Sequence, residues 1–366
     1  MKNFHYTAAF CILLVAILVG CKQVSNQDSM VYEIVSCKVP ASKTSIDPNT
    51  FIERRFSIEL QQNDTTFLAN ISSVKIFNEE IYVFDASAGR VFIYDFEGNF
   101  KRIIGRQGRG PGELLNAEGF VIDAEEEIVE ILDFDTQSIK KFSIDGQFLH
   151  EVPLKERYDA FHKFSNGAYL FRRPIINFTP QFVIEPEENF SFVYGKTDKG
   201  IRFMPFRPQQ LAHGNFNHTR NSFSEFGNGV LYWEIFNDTI YHIVEGSVKT
   251  KFHIDFKERS IPFEILVKPL NELFSILNSQ ENIEKYAGMV NDVIGFNDWI
   301  IFSYVSNARL HYIYWNISKY TVKSIEAEFF NNSSLFKVGD NKFVSVGLNP
   351  NGDLVKLTLF EVKDIF

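Results

Sequence analysis

The feature that most restricts the fold of this chain is a repeat of 48 residues. Seven of eight pairs that a shift of 48 residues brings into register keep their chemical class, and the exception pairs Ile93 with Lys141. The eight pairs are Ile81/Val129, Val83/Ile131, Asp85/Asp133, Val91/Ile139, Ile93/Lys141, Tyr94/Phe142, Gly98/Gly146 and Phe100/Phe148. A repeat of about 40 to 50 residues with four short strands is typical of a β-propeller blade. The repeat therefore predicts an all-β fold.

A glycine-rich stretch, residues 105–123, links the two copies of the repeat. Four glycines and one proline fall between Gly105 and Gly112, which excludes the interior of a helix or of a central strand. Phosphate-binding loops are also rich in glycine, but neither a Lys-Ser/Thr pair nor a helical pattern follows here. We therefore expect a tight connection from the last strand of one blade to the first strand of the next.

Three segments of the first repeat carry a family resemblance: Ile81–Asp85, Val91–Gly98 and Gly105–Glu113. They resemble an NHL-type repeat and, more narrowly, the six-bladed β-propeller lipoproteins common in Bacteroidetes. The resemblance is specific over residues 68–154 and reappears at Asn237–Ile243. It implies a six-bladed propeller and a place in the cell envelope, but it implies little about chemistry.

The N-terminus has the pattern of a bacterial lipoprotein signal. Lys2 precedes an apolar run that is too short to span a bilayer and that ends in Leu-Val-Gly-Cys at Cys21. This ending is similar to a lipobox, in which the cysteine is acylated; a plain signal peptide with an incidental Cys21 is the alternative. Lys22 differs from the aspartate that retains lipoproteins in the inner membrane, which favours the outer membrane. We expect a signal peptide over residues 1–20 and a flexible tether over 21–50.

Charge and cysteine content restrict the partners. The chain has 37 basic and 46 acidic residues and a formal net charge of −9, so nucleic acid and anionic lipid headgroups are poor partners. Contact with the membrane is expected only through the lipid anchor. Of the three cysteines, Cys11 leaves with the signal and Cys21 is acylated, so Cys37 has no disulfide partner.

Strand patterns predict six blades within residues 51–366. Alternation from Phe51 to Leu60 predicts an extra strand ahead of the first full blade, whereas the last blade, residues 335–362, has only three strands. We therefore expect the N-terminal strand to complete the last blade and close the ring. Between the fourth and fifth blades, Pro262–Tyr286 has helical spacing, and Pro269 is expected to kink or split this short helical insertion.

No catalytic motif is evident, and we predict no metal and no cofactor. The pair His213 and His218 has no nearby cysteine or carboxylate to complete a metal site, so a solvated loop is favoured. The acidic run Glu125–Glu127 is interpreted as a solvated turn, with calcium binding left open. The 39 phenylalanines and 14 tyrosines favour packing between blades, and a carbohydrate platform that includes Trp233 is the alternative.

Two classes of function remain. The first is a non-catalytic binding or scaffolding protein of the cell envelope, with a glycan, peptide or envelope protein as ligand. The second is an exported propeller enzyme, a lyase or hydrolase, with its site at the central channel. Loops on a rigid scaffold concentrate binding residues, so we expect the face that carries residues 105–118 to bind. The candidates there are Arg106, Arg109, Glu113, Asp85 and Arg90, and the alternative is that the acidic ones pair with the arginines to hold the loop.

Overall fold

The computed structural model describes residues 32–40, 45–174, 189–213, 222–330, 333–348 and 355–363. The predicted signal segment, Cys21 and His218 lie outside these ranges. Two strands precede the repeated sheets: β1 (Glu33–Lys38) and β2 (Ile52–Glu59), with a 3-10 helix at Pro48–Thr50 between them.

The first three blades are antiparallel sheets whose four strands follow one another in the chain. Blade 1 contains β3 (Ile71–Phe77), β4 (Glu80–Asp85), β5 (Arg90–Tyr94) and β6 (Phe100–Ile104). Two-residue strands β7 (Arg106–Gln107) and β8 (Glu113–Leu114) pair within the crossover that follows. Blade 2 contains β9 (Ala117–Asp123), β10 (Ile128–Asp133), β11 (Ser138–Ser143) and β12 (Phe148–Pro153). Blade 3 contains β13 (Ala160–Lys163), β14 (Tyr169–Arg172), β15 (Phe192–Gly195) and β16 (Ile201–Phe203).

The other three blades have the same arrangement, with helices in the connections. Helix α1 (Pro208–His213) precedes blade 4, which contains β17 (Phe223–Phe226), β18 (Gly229–Tyr232), β19 (Thr239–Val244) and β20 (Ser247–Asp255). Helices α2 (Phe263–Leu266) and α3 (Leu270–Leu277) lead to blade 5, which contains β21 (Ala287–Phe296), β22 (Trp299–Ser306), β23 (Arg309–Asn316) and β24 (Thr321–Ile325). Blade 6 contains β25 (Ser334–Gly339), β26 (Lys342–Leu348) and β27 (Val355–Val362).

The N-terminal strands complete two of these sheets. β2 pairs antiparallel with β27 and is the fourth strand of blade 6. β1 pairs in parallel with β20 and is a fifth strand on the outer edge of blade 4. The segment predicted as a flexible tether, residues 21–50, therefore contains a paired strand at Glu33–Lys38. Pairing with β20, about 200 residues away in the chain, fixes this segment, and local sequence does not show such pairing.

The hydrophobic core lies between the blades. Six clusters of buried side chains are described, one for each pair of neighbouring blades around the ring. The largest fully buried side chains are all aromatic, including Trp299, Trp315 and Tyr82. Cys37 belongs to the cluster between blades 4 and 5, where it is a free thiol. Packing of flat rings between twisted sheets thus accounts for most of the aromatic content.

The structure confirms the six-bladed, all-β fold class. It also contains the helical insertion between blades 4 and 5, which is split at Pro269, the residue before α3. A proline cannot donate the backbone hydrogen bond that a continuous helix would need there. Among the described residues, no helix combines the length and the apolar character that crossing a membrane requires.

Candidate functional site

The first strands of the six blades, β3, β9, β13, β17, β21 and β25, surround a central channel. A cavity of about 210 Å³ lies in this channel, and all six strands contribute to its wall. Its ionisable side chains are Lys75, His162, Glu225 and Lys337, from four different blades. The rest of the wall is mixed. Ser73 and Ser224 line it beside apolar residues, several of which belong to the hydrophobic clusters between blades: Val74, Val293 and Leu335.

The cavity lies toward one end of the channel. Each blade is a four-stranded meander, so its fourth strand returns to the face where its first strand began, and all six first strands run in the same direction. The cavity wall includes Phe77, Ala124 and Gly339, at the far ends of these strands. The larger cavity is therefore nearer the hairpins that join first and second strands. A smaller cavity, about 50 Å³, lies toward the crossover face, and Lys75 and His162 line both.

Lys337 is held by the protein itself. Its Nζ donates hydrogen bonds to the backbone oxygens of Glu225 (2.8 Å) and Gly295 (2.9 Å). It also lies 4.7 Å from the centre of the Phe296 ring. Burial lowers the pKa of Lys337, and the charges of Glu225 and Asp340 oppose that shift. This lysine is fixed across the junction of three blades and has little freedom to move toward a ligand.

Lys75 and Glu225 face the same cavity without touching. Within the described part of the chain, neither side chain has a hydrogen-bond partner, and their charged atoms are more than 4.0 Å apart. Burial raises the pKa of Glu225, but the charges of Lys75, His162 and Lys337 outweigh it and leave the pKa below its usual value. A cation and an anion therefore line one cavity, both available to a ligand.

His162 is neutral at physiological pH. Burial lowers its pKa to about 4, Glu225 opposes this shift and Lys75 adds to it. The imidazole packs edge-on against Phe164, with ring centres 4.8 Å apart. A neutral imidazole supplies one donor and one acceptor to the cavity but no charge.

The structure places Asp85 inside the fold, which argues against the predicted binding role. Its side chain is fully buried, and its carboxylate accepts four backbone hydrogen bonds at 2.5 to 2.9 Å. The donors are the N–H groups of Ala69, Asn70, Ser87 and Ala88. Two donors precede β3 and two follow β4, so Asp85 ties the start of one strand to the end of the next. A carboxylate with this many internal partners has little capacity left for a ligand.

The loop candidates do come together on the crossover face. Gly89 lies beside Ala117, which brings the hairpin that begins at Asp85 next to the crossover that contains residues 105–118. Arg106 and Arg109 are exposed and form no ion pair within the described residues. Arg90, at the start of β5, is half-buried and lies across the hairpin from Asp85.

Glu113 holds the loop through the backbone and not through the arginines. Its Oε2 accepts a hydrogen bond from the Gly110 N–H at 2.7 Å, and its own N–H donates to the Gly110 oxygen at 3.0 Å. Gly112 has a φ of 75° and packs against Phe148 so closely that a Cβ would lie 2.5 Å from the ring. The glycines therefore permit the close packing of this crossover.

Trp233 is part of the core, so the carbohydrate platform is not supported. Only 2% of its surface is exposed, and its Nε1 donates to the Asn291 side chain at 3.1 Å. Its neighbours Tyr232 and Phe236 are also buried. Rings that pack between blades cannot stack on a sugar.

Of the two histidines at 213 and 218, the structure describes His213. His213 ends α1 and packs on Phe236, with ring centres 4.9 Å apart. Glu125–Glu127 form an exposed turn. No group of three or more His, Cys, Asp or Glu side chains among the described residues could hold a metal ion.

Sequence reasoning missed the channel residues Lys75, His162, Glu225 and Lys337. Each lies in the first strand of its blade. A charged residue in several first strands is the signal that could have identified them. Periodicity alone does not reveal that these strands meet around one cavity.

Comparison with known proteins extends this description. A family described as "Domain of unknown function (DUF4934)" matches residues 34–366. No curated protein matches the sequence of the chain.

Three solved structures illustrate the likeness of fold. A putative exported protein from Bacteroides fragilis has a TM-score of 0.70 at 16% identity, covering 90% of this chain and 100% of that chain. A member of the DUF4221 family from Bacteroides vulgatus has a TM-score of 0.54 at 13% identity, covering 85% of this chain and 97% of that chain. A virginiamycin B lyase variant from Staphylococcus aureus has a TM-score of 0.44 at 11% identity, covering 83% and 99%, which is too distant to carry an argument. At these identities the likeness shows the fold alone.

Proposed function

Since the chain belongs to the DUF4934 family, described as a domain of unknown function, we propose its role from its own structure. The protein is an exported, lipid-anchored propeller of the cell envelope that binds a small ligand in its central channel without catalysing a reaction. The observation that carries this proposal is the pair of opposite charges, Lys75 and Glu225, that face one cavity without forming a direct ion pair among the described residues.

The size of the cavity favours a small ligand over a glycan chain. Pockets for drug-sized ligands have volumes of about 300 to 1,000 Å³, whereas this cavity has about 210 Å³. A larger peptide or envelope protein would have to contact an outer face instead. The exposed Arg106 and Arg109 on the crossover face are the candidates for such a contact, because an arginine can hold a carboxylate through two parallel hydrogen bonds.

The chemistry of the channel favours binding over catalysis. His162 is the natural candidate for a general base, but a pKa of about 4 makes it a weak base at neutral pH. Lys337 is occupied by two backbone oxygens. The alternative, a lyase or hydrolase with its site in the channel, would need an acid or base tuned closer to the working pH.

Export and anchoring rest on the N-terminal sequence. The apolar run that ends at Cys21 has the pattern of a lipoprotein signal, and the similar protein from Bacteroides fragilis is described as a putative exported protein. Lys22 favours the outer membrane. Two or more acyl chains would give stable anchoring, because each buried CH₂ contributes about 0.8 kcal/mol.

Anchoring is tested with Cys21→Ala. We expect the wild-type protein to partition into the detergent phase without residues 1–20, and the variant to remain in the aqueous phase without acylation. Wild-type protein in the aqueous phase with residues 1–20 still attached would contradict the lipoprotein assignment.

Binding is tested by calorimetry on the mature chain. The probes are glucose, inorganic phosphate, acetate, ethylamine and L-leucine, which represent neutral, anionic, cationic and zwitterionic small molecules. We expect at least one probe to bind wild-type protein and to bind Lys75→Met or Glu225→Gln at least tenfold more weakly. If no probe binds, or if both variants bind as wild type does, the channel is not the binding site.

A further inference from the structure

Lys75 and Glu225 form an arrangement that is complementary to a zwitterion. Lys75 projects from blade 1 and Glu225 from blade 4, which lie on opposite sides of a six-bladed ring. Neither side chain has a hydrogen-bond partner in the described residues, although both face the same cavity. A ligand that carries one negative and one positive group would satisfy both side chains at once.

The other charged group of the cavity is already engaged. Lys337 donates to two backbone oxygens and lies over the Phe296 ring. His162 is uncharged at neutral pH, so the cavity has one available cation and one available anion. A simple anion would pair with Lys75 alone and a simple cation with Glu225 alone, whereas a zwitterion can pair with both.

The wall and the volume restrict the ligand further. The cavity is also lined by Ser73 and Ser224. Val74 and Leu335 belong to the hydrophobic clusters between the blades. An apolar cavity of about 150 Å³ holds a benzene molecule, so 210 Å³ leaves room for a molecule of roughly ten non-hydrogen atoms. An α-amino acid has both charges and a size that fits this volume.

We propose that the central cavity recognises a small zwitterion of the amino-acid class, with its carboxylate at Lys75 and its ammonium at Glu225. This inference rests on the proposed binding role and names the ligand class for that same cavity. A short dipeptide has the same terminal charges, so the experiment must separate it from a free amino acid.

The test uses calorimetric titration of the mature wild-type protein with four matched probes. L-Leucine has both charges, leucinamide lacks the carboxylate, N-acetylleucine lacks the ammonium, and the dipeptide glycylleucine separates the charges. We expect leucine or glycylleucine to bind at least tenfold more tightly than leucinamide and N-acetylleucine. The zwitterion that binds more tightly tells whether the ligand is a free amino acid or a short peptide.

Variants of the two channel residues then test which side chain binds each charged group of the ligand. Lys75→Met should reduce the affinity for the preferred zwitterion at least tenfold, and so should Glu225→Gln. Lys199→Met and Glu264→Gln, which remove exposed charges away from the channel, are the controls and should bind as wild type does. The probe comparison on wild-type protein decides the question even if a channel variant fails to fold.

The outcomes separate this inference from the proposed function. If N-acetylleucine or acetate binds as tightly as leucine, the ammonium is not recognised and the zwitterion proposal is wrong, while channel binding stands. If leucinamide or ethylamine binds as tightly, the carboxylate is not recognised and the same conclusion follows. If no small probe binds, both proposals fail.

Discussion

Asp85 and Asp133 occupy equivalent positions in consecutive blades, and their carboxylates accept the same set of backbone hydrogen bonds. Each aspartate takes two N–H groups from the crossover that enters its blade and two from the hairpin that follows its strand. For Asp133 the donors are Leu115, Asn116, Asp135 and Thr136. The aspartate that the two repeats share therefore has a structural role. We call this carboxylate with its four backbone donors the aspartate clamp.

The aspartate clamp leads us to expect that Asp85→Asn lowers the free energy of unfolding substantially. An amide keeps the shape of the side chain but replaces one acceptor oxygen with a donor, which leaves two backbone N–H groups unsatisfied. Since a buried unsatisfied donor costs about 1 to 3 kcal/mol, we expect the free energy of unfolding to fall by about 2 kcal/mol or more. Chemical denaturation measures it, with Asp64→Asn as the control, because Asp64 is exposed and accepts no hydrogen bond from the described residues. Equal losses in the two variants would contradict the clamp.

The sequence repeat is hard to recognise after blade 2, because blade 3 has Arg172 at the position of the aspartate. Arg172 lies opposite Ala160 in the strand register, as Asp85 lies opposite Ile71. The carboxylate comes instead from Asp159, whose Oδ1 accepts from Arg172 Nε at 2.7 Å. Sequence comparison by residue class could not predict that the carboxylate moves to the residue before the first strand and that an arginine takes its former position.

The single mismatch in the repeat has a similar explanation. Ile93 pairs with Tyr82 across two strands of blade 1, whereas Lys141 pairs with Glu130 in blade 2. Lys141 Nζ lies 3.0 Å from Glu130 Oε1, so an ion pair replaces an apolar pair at one cross-strand position. The substitution is compensated on the neighbouring strand.

The sequence thus predicted the blades well and the channel site poorly. Strand alternation is local, and the predicted repeat of 48 residues carries β4 (Glu80–Asp85) onto β10 (Ile128–Asp133). Lys75 and Glu225 are 150 residues apart and meet only when the ring closes. Long-range juxtaposition of this kind has no local pattern that a single sequence can show.

Deletion of Phe51–Leu60 is expected to expose an edge of blade 6. β2 covers β27, and Phe51 packs in the cluster between blades 5 and 6, with its ring 5.0 Å from that of Tyr314. An uncovered strand edge is a template for pairing with another chain, so the truncated protein should aggregate. Size-exclusion chromatography with light scattering measures the association.

The control for this deletion is a chain that begins at Glu33, which lacks the N-terminal segment but keeps β1 and β2. It should remain unassociated under the same conditions. A chain without residues 51–60 that stays monomeric and melts as the control does would show that β2 is dispensable for closing the ring.

Asp292→Asn is expected to stabilise the protein at neutral pH. Burial raises the pKa of Asp292 to about 6, although Ser303 Oγ donates to its carboxylate at 2.7 Å and the Leu335 N–H donates at 3.2 Å. An asparagine can accept from Leu335 and donate to Ser303, and it tolerates the φ of 49° at this position. At about 1.4 kcal/mol per pKa unit, removing the buried charge should add up to about 3 kcal/mol of stability above pH 7.

The stability gain from Asp292→Asn is expected to depend on pH. Because the folded-state pKa of Asp292 is above its unfolded value of 3.8, the wild-type protein gains stability from this group as the pH falls from above 6 toward 4. The advantage of Asp292→Asn should therefore shrink over that window. His162 acts in the opposite direction in both proteins and cancels in the difference. Denaturation curves at pH 8, 6 and 4.5 measure the difference in unfolding free energy between the variant and wild type. A difference that stays the same at all three pH values would contradict the raised pKa of Asp292.

Arg106→Ala with Arg109→Ala tests whether the crossover face binds a partner. Both side chains are exposed and form no ion pair with the described residues, while Glu113 and the backbone hold the loop. We therefore expect the melting temperature of the double variant to stay within a few degrees of wild type. Glu113→Ala is the matched comparison in the same loop and should cost about 1 kcal/mol, because it removes the acceptor of the Gly110 N–H.

Binding by the crossover face is measured separately, by the retention of detergent-solubilised envelope components on immobilised protein. If Arg106 and Arg109 contact a carboxylate-bearing partner, retention should drop in the double variant while melting stays unchanged, since two bidentate hydrogen-bonded pairs are lost from the surface alone. A clear fall in the melting temperature would instead assign the arginines to holding the loop. Unchanged retention with unchanged melting would rule out Arg106 and Arg109 as the contact. Arg90 would then be the remaining candidate of the crossover face, because Asp85 and Glu113 are already engaged by backbone N–H groups.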